Sequence, residues 1–76
     1  MTIHTLVVWP VDFPMEQLYA IGDYGNSMGH QIGGPVITLD NLGQRNVTRT
    51  WEDIPAAEAW IEYVGPYYPV SASIIT

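Results

Sequence analysis

The clearest structural signal in the sequence is one amphipathic helix with defined ends. Asp53 is a good N-cap and Pro55 is tolerated in a first turn, while Gly65 and the proline after it end the pattern. The apolar stripe at i, i+3, i+4, i+7 spacing comprises Ala57, Trp60, Ile61 and Val64. Glu58 and Glu62 fall on the opposite, solvent side. A chain with one such helix must bury its stripe against a second layer, and the flanking segments suit a sheet.

Strand signals surround this helix. Residues 2–9 are β-branched and aromatic and stop at Pro10, and they place apolar groups on both faces, which favours a central strand or one covered by a partner. Residues 36–39 and 46–51 form a predicted hairpin around a turn at 40–43. Residues 70–75 alternate as a last strand.

A second helix is less well defined. Met15, Leu18 and Tyr19 have i, i+3, i+4 spacing after Pro14, which predicts a short helix that Gly22 would end. A strand or an irregular segment is the alternative. Residues 22–34 contain five of the seven glycines and are predicted to form a long loop, which could bind a small ligand if it is ordered.

The resulting order, βαββαβ, predicts a single α+β domain over residues 1–76 with a ferredoxin-like fold. In that fold a four-stranded antiparallel sheet has one or two helices on one face. If residues 14–21 are not helical, the architecture becomes mainly β with one helix across the sheet. Either way one sheet face has no helix, and we expect a neighbouring subunit to cover it.

The charge composition limits the classes of partner that the chain can bind. The chain has 76 residues, eight acids, two arginines and no lysine, for a net charge of −6. This balance excludes nucleic acid and anionic membrane surfaces as partners. Only 13% of the residues are charged, about half the usual share, and there are three Trp and five Tyr. Because aromatic residues are enriched and lysine is depleted at protein interfaces, we expect a homo-oligomer or an assembly component.

The lack of cysteine leaves packing and oligomerisation as the stabilising devices. No apolar run approaches the roughly 18 residues of a membrane span, and no signal-peptide pattern precedes the first strand. We therefore expect a cytoplasmic location. The periodicity assigns Trp60 to the core, and the predicted interface residues are Trp9, Trp51, Tyr67 and Tyr68. Arg49, between Val47 and Trp51, is expected to lie along the sheet with its head in water.

No motif for catalysis, metal or cofactor binding is complete, so we predict no catalytic residue, no metal and no cofactor. His4 is a strand histidine, and His30 with Asp23 gives too few ligands for a metal site. The segment 22–29 lacks the Gly-Lys-Ser/Thr ending of a phosphate-binding loop. The alternative is a ligand-binding protein or a small dimeric α+β-barrel enzyme, similar to the antibiotic-biosynthesis monooxygenases, with its site between sheet and helices. Its candidate residues would be His4, Tyr19, Asp23 and Trp51.

The C-terminal part also resembles a known group. Val47-Thr48-Arg49-Thr50-Trp51, Asp53, the segment 57–63 (Ala-Glu-Ala-Trp-Ile-Glu-Tyr) and the segment 69–74 (Pro-Val-Ser-Ala-Ser-Ile) are similar to the ending of small tailed-phage proteins, cyanophages included. The resemblance does not extend to the glycine-rich first half. It implies a phage or phage-like origin without an assigned activity. A host protein or a virion protein would then be a partner, in the host cytoplasm or in the virion.

Overall fold

The computed structural model describes residues 2–75. Along the chain its elements are β1 (Ile3–Trp9), α1 (Met15–Ser27), β2 (Val36–Leu39), β3 (Arg45–Trp51), α2 (Ile54–Val64), a 3-10 turn (Gly65–Tyr67) and β4 (Ser71–Ile75). This described part of the chain is therefore α+β, with one four-stranded sheet and two α-helices. The predicted hairpin and the last strand are confirmed.

The sheet has the order β2-β3-β1-β4, and every neighbouring pair is antiparallel. β1 lies between β3 and β4, which confirms the central strand predicted from apolar groups on both its faces. In the register Ile3 pairs with Trp51 and Val7 pairs with Val47. Because paired residues point to the same side, the odd-numbered positions of β1 and β3 form one face of the sheet.

Both helices pack on that face and enclose the core. Three tryptophans dominate the interior: Trp9, Trp51 and Trp60 are at most 1% exposed. The Nε1 of Trp51 donates to the hydroxyl of buried Thr5 at 3.0 Å, so the polar end of this indole is satisfied. The other buried apolar residues are Ile3, Val7, Val8, Ile21, Val47, Ala56, Ala57 and Val64.

Helix α2 has the predicted ends. The Asp53 carboxylate accepts a hydrogen bond from the Ala56 amide at 2.9 Å, and this satisfies an otherwise free amide of the first turn. Glu58 and Glu62 are exposed, as the stripe required. A 3-10 turn follows α2 directly at Gly65, so the helix tightens over its last turn before it ends.

Helix α1 is confirmed, but its predicted end is wrong. The helix passes through Gly22 and Gly25 and ends at Ser27, so the loop starts at Met28 rather than at residue 22. The reason is packing. A Cβ at Gly25 would lie 2.8 Å from both Arg49 Cζ and Trp60 Cζ3, so glycine here lets the helix approach the sheet. Tertiary contact thus overrides the low helix propensity of glycine.

The other face of the sheet, which we call the open face, has no helix on it among residues 2–75. Leu6 and Val8 lie at its centre; Val8 is only 8% exposed and Leu6 is half-buried. The positions around them, read from the register, are His4, Val36, Thr38, Asn46, Thr48, Thr50, Ser71, Ser73 and Ile75. No Asp, Glu, Lys or Arg occupies this face, so all eight acids lie on helices, turns and loops.

Candidate functional site

A cleft of about 380 Å³ lies between α1 and the β2–β3 side of the sheet. It has the size of a small-molecule pocket, and its walls are mainly apolar. The apolar walls are formed chiefly by Trp9, Met15, Leu18, Tyr19, Ile37 and Val47. The polar groups on the walls are Asp23, Asn26, Arg45 and Arg49. This cleft is the first candidate site.

The periodicities of the two elements bring these groups together. On α1, Met15, Tyr19 and Asp23 are spaced four residues apart, so they form a row on one side of the helix. On β3, Arg45 and Arg49 alternate with Val47 on the face that α1 covers. A row of helix residues therefore faces a row of strand residues, with the cleft between them.

Arg49 is 2% exposed, so the expectation that its head lies in water is wrong. Its Nη1 donates to Asn26 Oδ1 at 2.8 Å and to Gln31 Oε1 at 2.6 Å, and its Nη2 donates to the Gly22 carbonyl at 3.2 Å. Its Cζ lies 4.7 Å from the centre of the Trp60 ring, within cation–π range. The guanidinium thus links α1 and the following loop to the sheet through hydrogen bonds.

Every acceptor of Arg49 is neutral, which is unusual for a buried cation. Within residues 2–75 neither arginine has a carboxylate within 4 Å, since His30–Glu52 is the one ion pair found there. Desolvation by burial lowers the pKa of Arg49 from its usual value. Arg49 Nε and Trp60 Nε1 are also buried without a hydrogen-bond acceptor among the described residues.

A second candidate site is the outer edge of the sheet, which we call the β2 edge: Val36, Ile37, Thr38 and Leu39. β2 pairs only with β3, so its other side carries backbone groups that pair with no strand of residues 2–75. Val36, Ile37 and Leu39 are 60–67% exposed. Among the usual devices that protect an edge strand, this segment has no charge, no proline and no bulge, and only its length of four residues limits pairing.

The structure places the four interface candidates at different depths. Trp9 and Trp51 are interior and contact the chain's own helices and strands, since odd positions of β1 and β3 face inward. Tyr68 is 85% exposed and Tyr67 is 38% exposed, so these two remain accessible to a partner.

Tyr24 and Tyr63 form a stacked pair that sequence reasoning missed, with ring centres 3.8 Å apart. They join α1 to α2, and Tyr67 extends the group. A side-chain hydrogen bond with Tyr67 raises the pKa of Tyr63, and desolvation and the charges of Tyr67 and Tyr24 add to the shift. Sequence periodicity did not indicate this pair, because α1 was predicted to end before Tyr24.

The residues of the enzyme alternative are not brought together. Tyr19 and Asp23 both line the cleft, whereas His4 lies on the open face and bonds the Thr50 hydroxyl at 3.0 Å. Trp51 is buried and does not line the cleft.

The glycine-rich loop likewise shows no metal site. His30 Nδ1 lies 3.0 Å from Glu52 Oε2, and no third possible metal ligand of the described chain lies beside this pair. Within residues 2–75 no group of three His, Cys, Asp or Glu could hold a metal ion.

Comparison with known proteins adds no family. No protein-family model matches the chain, and no curated protein matches it. Neither helix in the described part of the chain has the length and apolar character needed to cross a membrane.

Proposed function

We propose that this chain acts through protein–protein contacts and forms a homo-oligomer by pairing two β2 edges. The observation that carries this proposal is the uncharged, apolar β2 edge, with side chains 60–67% exposed at three of its four positions. An edge of this kind is a template for strand addition, because its free amides and carbonyls need partners. A second copy supplies an identical strand.

The surroundings of the β2 edge enlarge the apolar area. Tyr19 of α1 is 67% exposed, and Val11 and Leu42 are also largely exposed. Val11 lies close to the hairpin turn, because a Cβ at Gly43 would stand 3.3 Å from its side chain. Contiguous exposed apolar surface on a small protein marks an interaction site.

Charge placement is compatible with self-association at this edge. A net charge of −6 makes two copies repel each other. The β2 edge and the open face carry no acid, so contact there keeps most carboxylates apart. Asp40 is the one acid directly next to the edge.

The finer fold and the origin are also proposals. The strand order β2-β3-β1-β4 with two helices on one face supports a ferredoxin-like assignment. The resemblance of residues 47–74 to tailed-phage proteins supports a phage origin, with a virion or host protein as a further partner. A genomic position among virion or early phage genes would support this origin, and a position in a conserved bacterial operon would count against it.

The experiment for self-association is light scattering after size exclusion, with lysine placed on each side of the edge strand. Val36 and Leu39 point to opposite faces of the sheet and are both exposed, so Val36→Lys and Leu39→Lys leave the core intact. The wild type is expected at a multiple of the 8.5 kDa chain mass, and both variants at the monomer mass.

Val70→Lys is the matched control, because Val70 is 53% exposed and precedes β4 at the opposite edge of the sheet. It adds the same charge and should leave the oligomer unchanged. A monomeric wild type at high concentration would refute self-association. An oligomer that Val70→Lys disrupts and Val36→Lys spares would refute the β2 edge as its interface.

A further inference from the structure

We infer that the cleft between α1 and β3 binds a small amphipathic molecule, with its apolar body between Trp9 and Ile37 and a carboxylate at Arg45. This binding activity does not require the self-association proposed above, although Ile37 and Tyr19 belong to both surfaces. It assigns the cleft a ligand class, an apolar monoanion, and involves no covalent chemistry.

The positive charge of the chain is concentrated at this cleft. The chain has only two arginines and no lysine, and both arginines line this one cleft. Of the eight acids, Asp23 alone lines it. A cleft with two guanidiniums and one carboxylate, on a chain of net charge −6, favours an anion where the rest of the surface repels one.

The two guanidiniums differ in their hydrogen-bond partners and in their burial. Arg49 is nearly fully buried and already donates to three neutral acceptors. Arg45 is half-buried and has no carboxylate partner within residues 2–75. Arg45 is therefore the group that presents a planar fork to a ligand, and carboxylate is the group that this fork binds with two parallel hydrogen bonds.

Arg49 contributes without touching the ligand. It stands two positions beyond Val47 on the same strand face as Arg45, so the guanidiniums share one side of the sheet. Because its acceptors are all neutral, its charge is not cancelled by a carboxylate within 4 Å in the described part of the chain. A buried charge is weakly screened, so its field adds to that of Arg45 in the cleft.

The walls of the cleft suit a ligand with an apolar body. Aromatic and aliphatic side chains form most of the wall, and the volume of about 380 Å³ accommodates a medium-length aliphatic chain or a bicyclic aromatic group. An inorganic anion would leave these apolar walls without contact. The combination of walls and charge therefore favours an amphipathic ligand over phosphate or sulfate.

The test titrates decanoate and decanol, which differ only in the headgroup, into the full chain and follows tryptophan fluorescence. Decanoate is expected to bind about tenfold or more tightly than decanol. In Arg45→Gln that advantage should disappear, with decanol affinity unchanged, and inorganic phosphate should not compete. Equal affinities in the wild type, or an advantage that survives in Arg45→Gln, would overturn the inference.

A pair of charge-matched variants gives a second readout that does not depend on the folding of Arg45→Gln. Asp23→Asn removes the one carboxylate of the cleft, whereas Glu58→Gln removes an exposed carboxylate on the outer side of α2. The headgroup preference should rise severalfold in Asp23→Asn and stay constant in Glu58→Gln. Equal responses in the two variants would contradict a carboxylate placed in the cleft.

Discussion

Arg49 shows how one residue organises this small core. Its guanidinium lies beneath α1, at a position where an apolar side chain would be usual. It contacts the ring of Trp60 and donates hydrogen bonds to three neutral acceptors from α1 and the following loop. The sequence predicted correctly which face of β3 carries Arg49, but it did not predict that the guanidinium is buried. Nothing in the local pattern around Arg49 reveals that Asn26 and Gln31, more than fifteen residues away, supply its acceptors.

Removing this guanidinium should be costly. Arg49→Gln is expected to lower the free energy of unfolding by about 2–4 kcal/mol, because it removes the hydrogen bonds to Asn26, Gln31 and Gly22 and leaves a void beside the buried Trp60. Urea denaturation followed by tryptophan fluorescence measures this. Arg45→Gln, half-buried on the same face, should change stability by less than about 1 kcal/mol. Similar losses in both variants would contradict a structural role specific to Arg49.

Gly25 gives a second test at a single position. A methyl group there would stand 2.8 Å from Arg49 and Trp60, so Gly25→Ala should destabilise by about 1–3 kcal/mol despite the better helix propensity of alanine. Gly22→Ala, in the same helix, meets its nearest neighbour at an ordinary 3.8 Å and should be neutral or stabilising. In thermal melts Gly25→Ala should therefore unfold at a lower temperature than the wild type whereas Gly22→Ala should not, and a stabilising Gly25→Ala would refute the close packing.

At the scale of elements, the sequence predicted what local rules control. Helix α2 has a cap, a four-residue apolar stripe and a stop, and each of these is visible in the structure. The strands follow from β-branched content and alternation. Helix α1 has no side-chain cap hydrogen bond and contains two glycines, so only its contact with Arg49 and Trp60 explains its length. The polar end of the cleft was not predicted, because Asp23 and Asn26 join its walls only where α1 continues beyond Gly22.

The β2–β3 hairpin carries a pH dependence that can be measured. Desolvation raises the pKa of Asp40, but hydrogen bonds from the Asn46 side chain and the Gln44 and Leu42 amides together outweigh it, so the net pKa is lowered. A lowered folded-state pKa means that this carboxylate stabilises the hairpin above its unfolded pKa and loses that effect as the pH falls through the folded value.

Asp40→Asn should keep the turn, because an amide oxygen accepts the same backbone hydrogen bonds, but it should lose this acid-limb component. We expect the variant's melting temperature to fall less steeply than that of the wild type between about pH 5 and pH 2. Glu62→Gln on the exposed side of α2 is the control and should retain the wild-type slope. Parallel curves for the wild type and Asp40→Asn would contradict the prediction.

For the whole molecule, the composition predicted self-association, and the exposure of apolar side chains favours the β2 edge over the open face as its interface. The open face was expected to be the covered one, yet its side chains are mainly Thr, Ser and Asn around the shielded Leu6 and Val8. The largest side-chain exposure of apolar residues in the sheet lies instead at the β2 edge. No sequence rule shows this, because which strand becomes an edge depends on the strand order.

Salt should strengthen the proposed oligomer. Two copies of net charge −6 repel each other, and mobile ions screen that repulsion, so the dissociation constant should fall severalfold between about 10 mM and about 1 M salt. Sedimentation velocity at matched protein concentrations measures it. Weaker association at high salt would indicate an interface held by ion pairs, which the charge-free β2 edge cannot provide.

Hydrogen exchange at the β2 amides that point away from β3 tests the edge pairing most directly. In a monomer these amides are bonded to no other strand, so they should exchange rapidly in dilute solution. As protein concentration rises, strand addition should protect them while the amides of β1 stay unchanged. Rapid exchange of the β2 amides at every concentration, in a sample that light scattering shows to be oligomeric, would contradict the account.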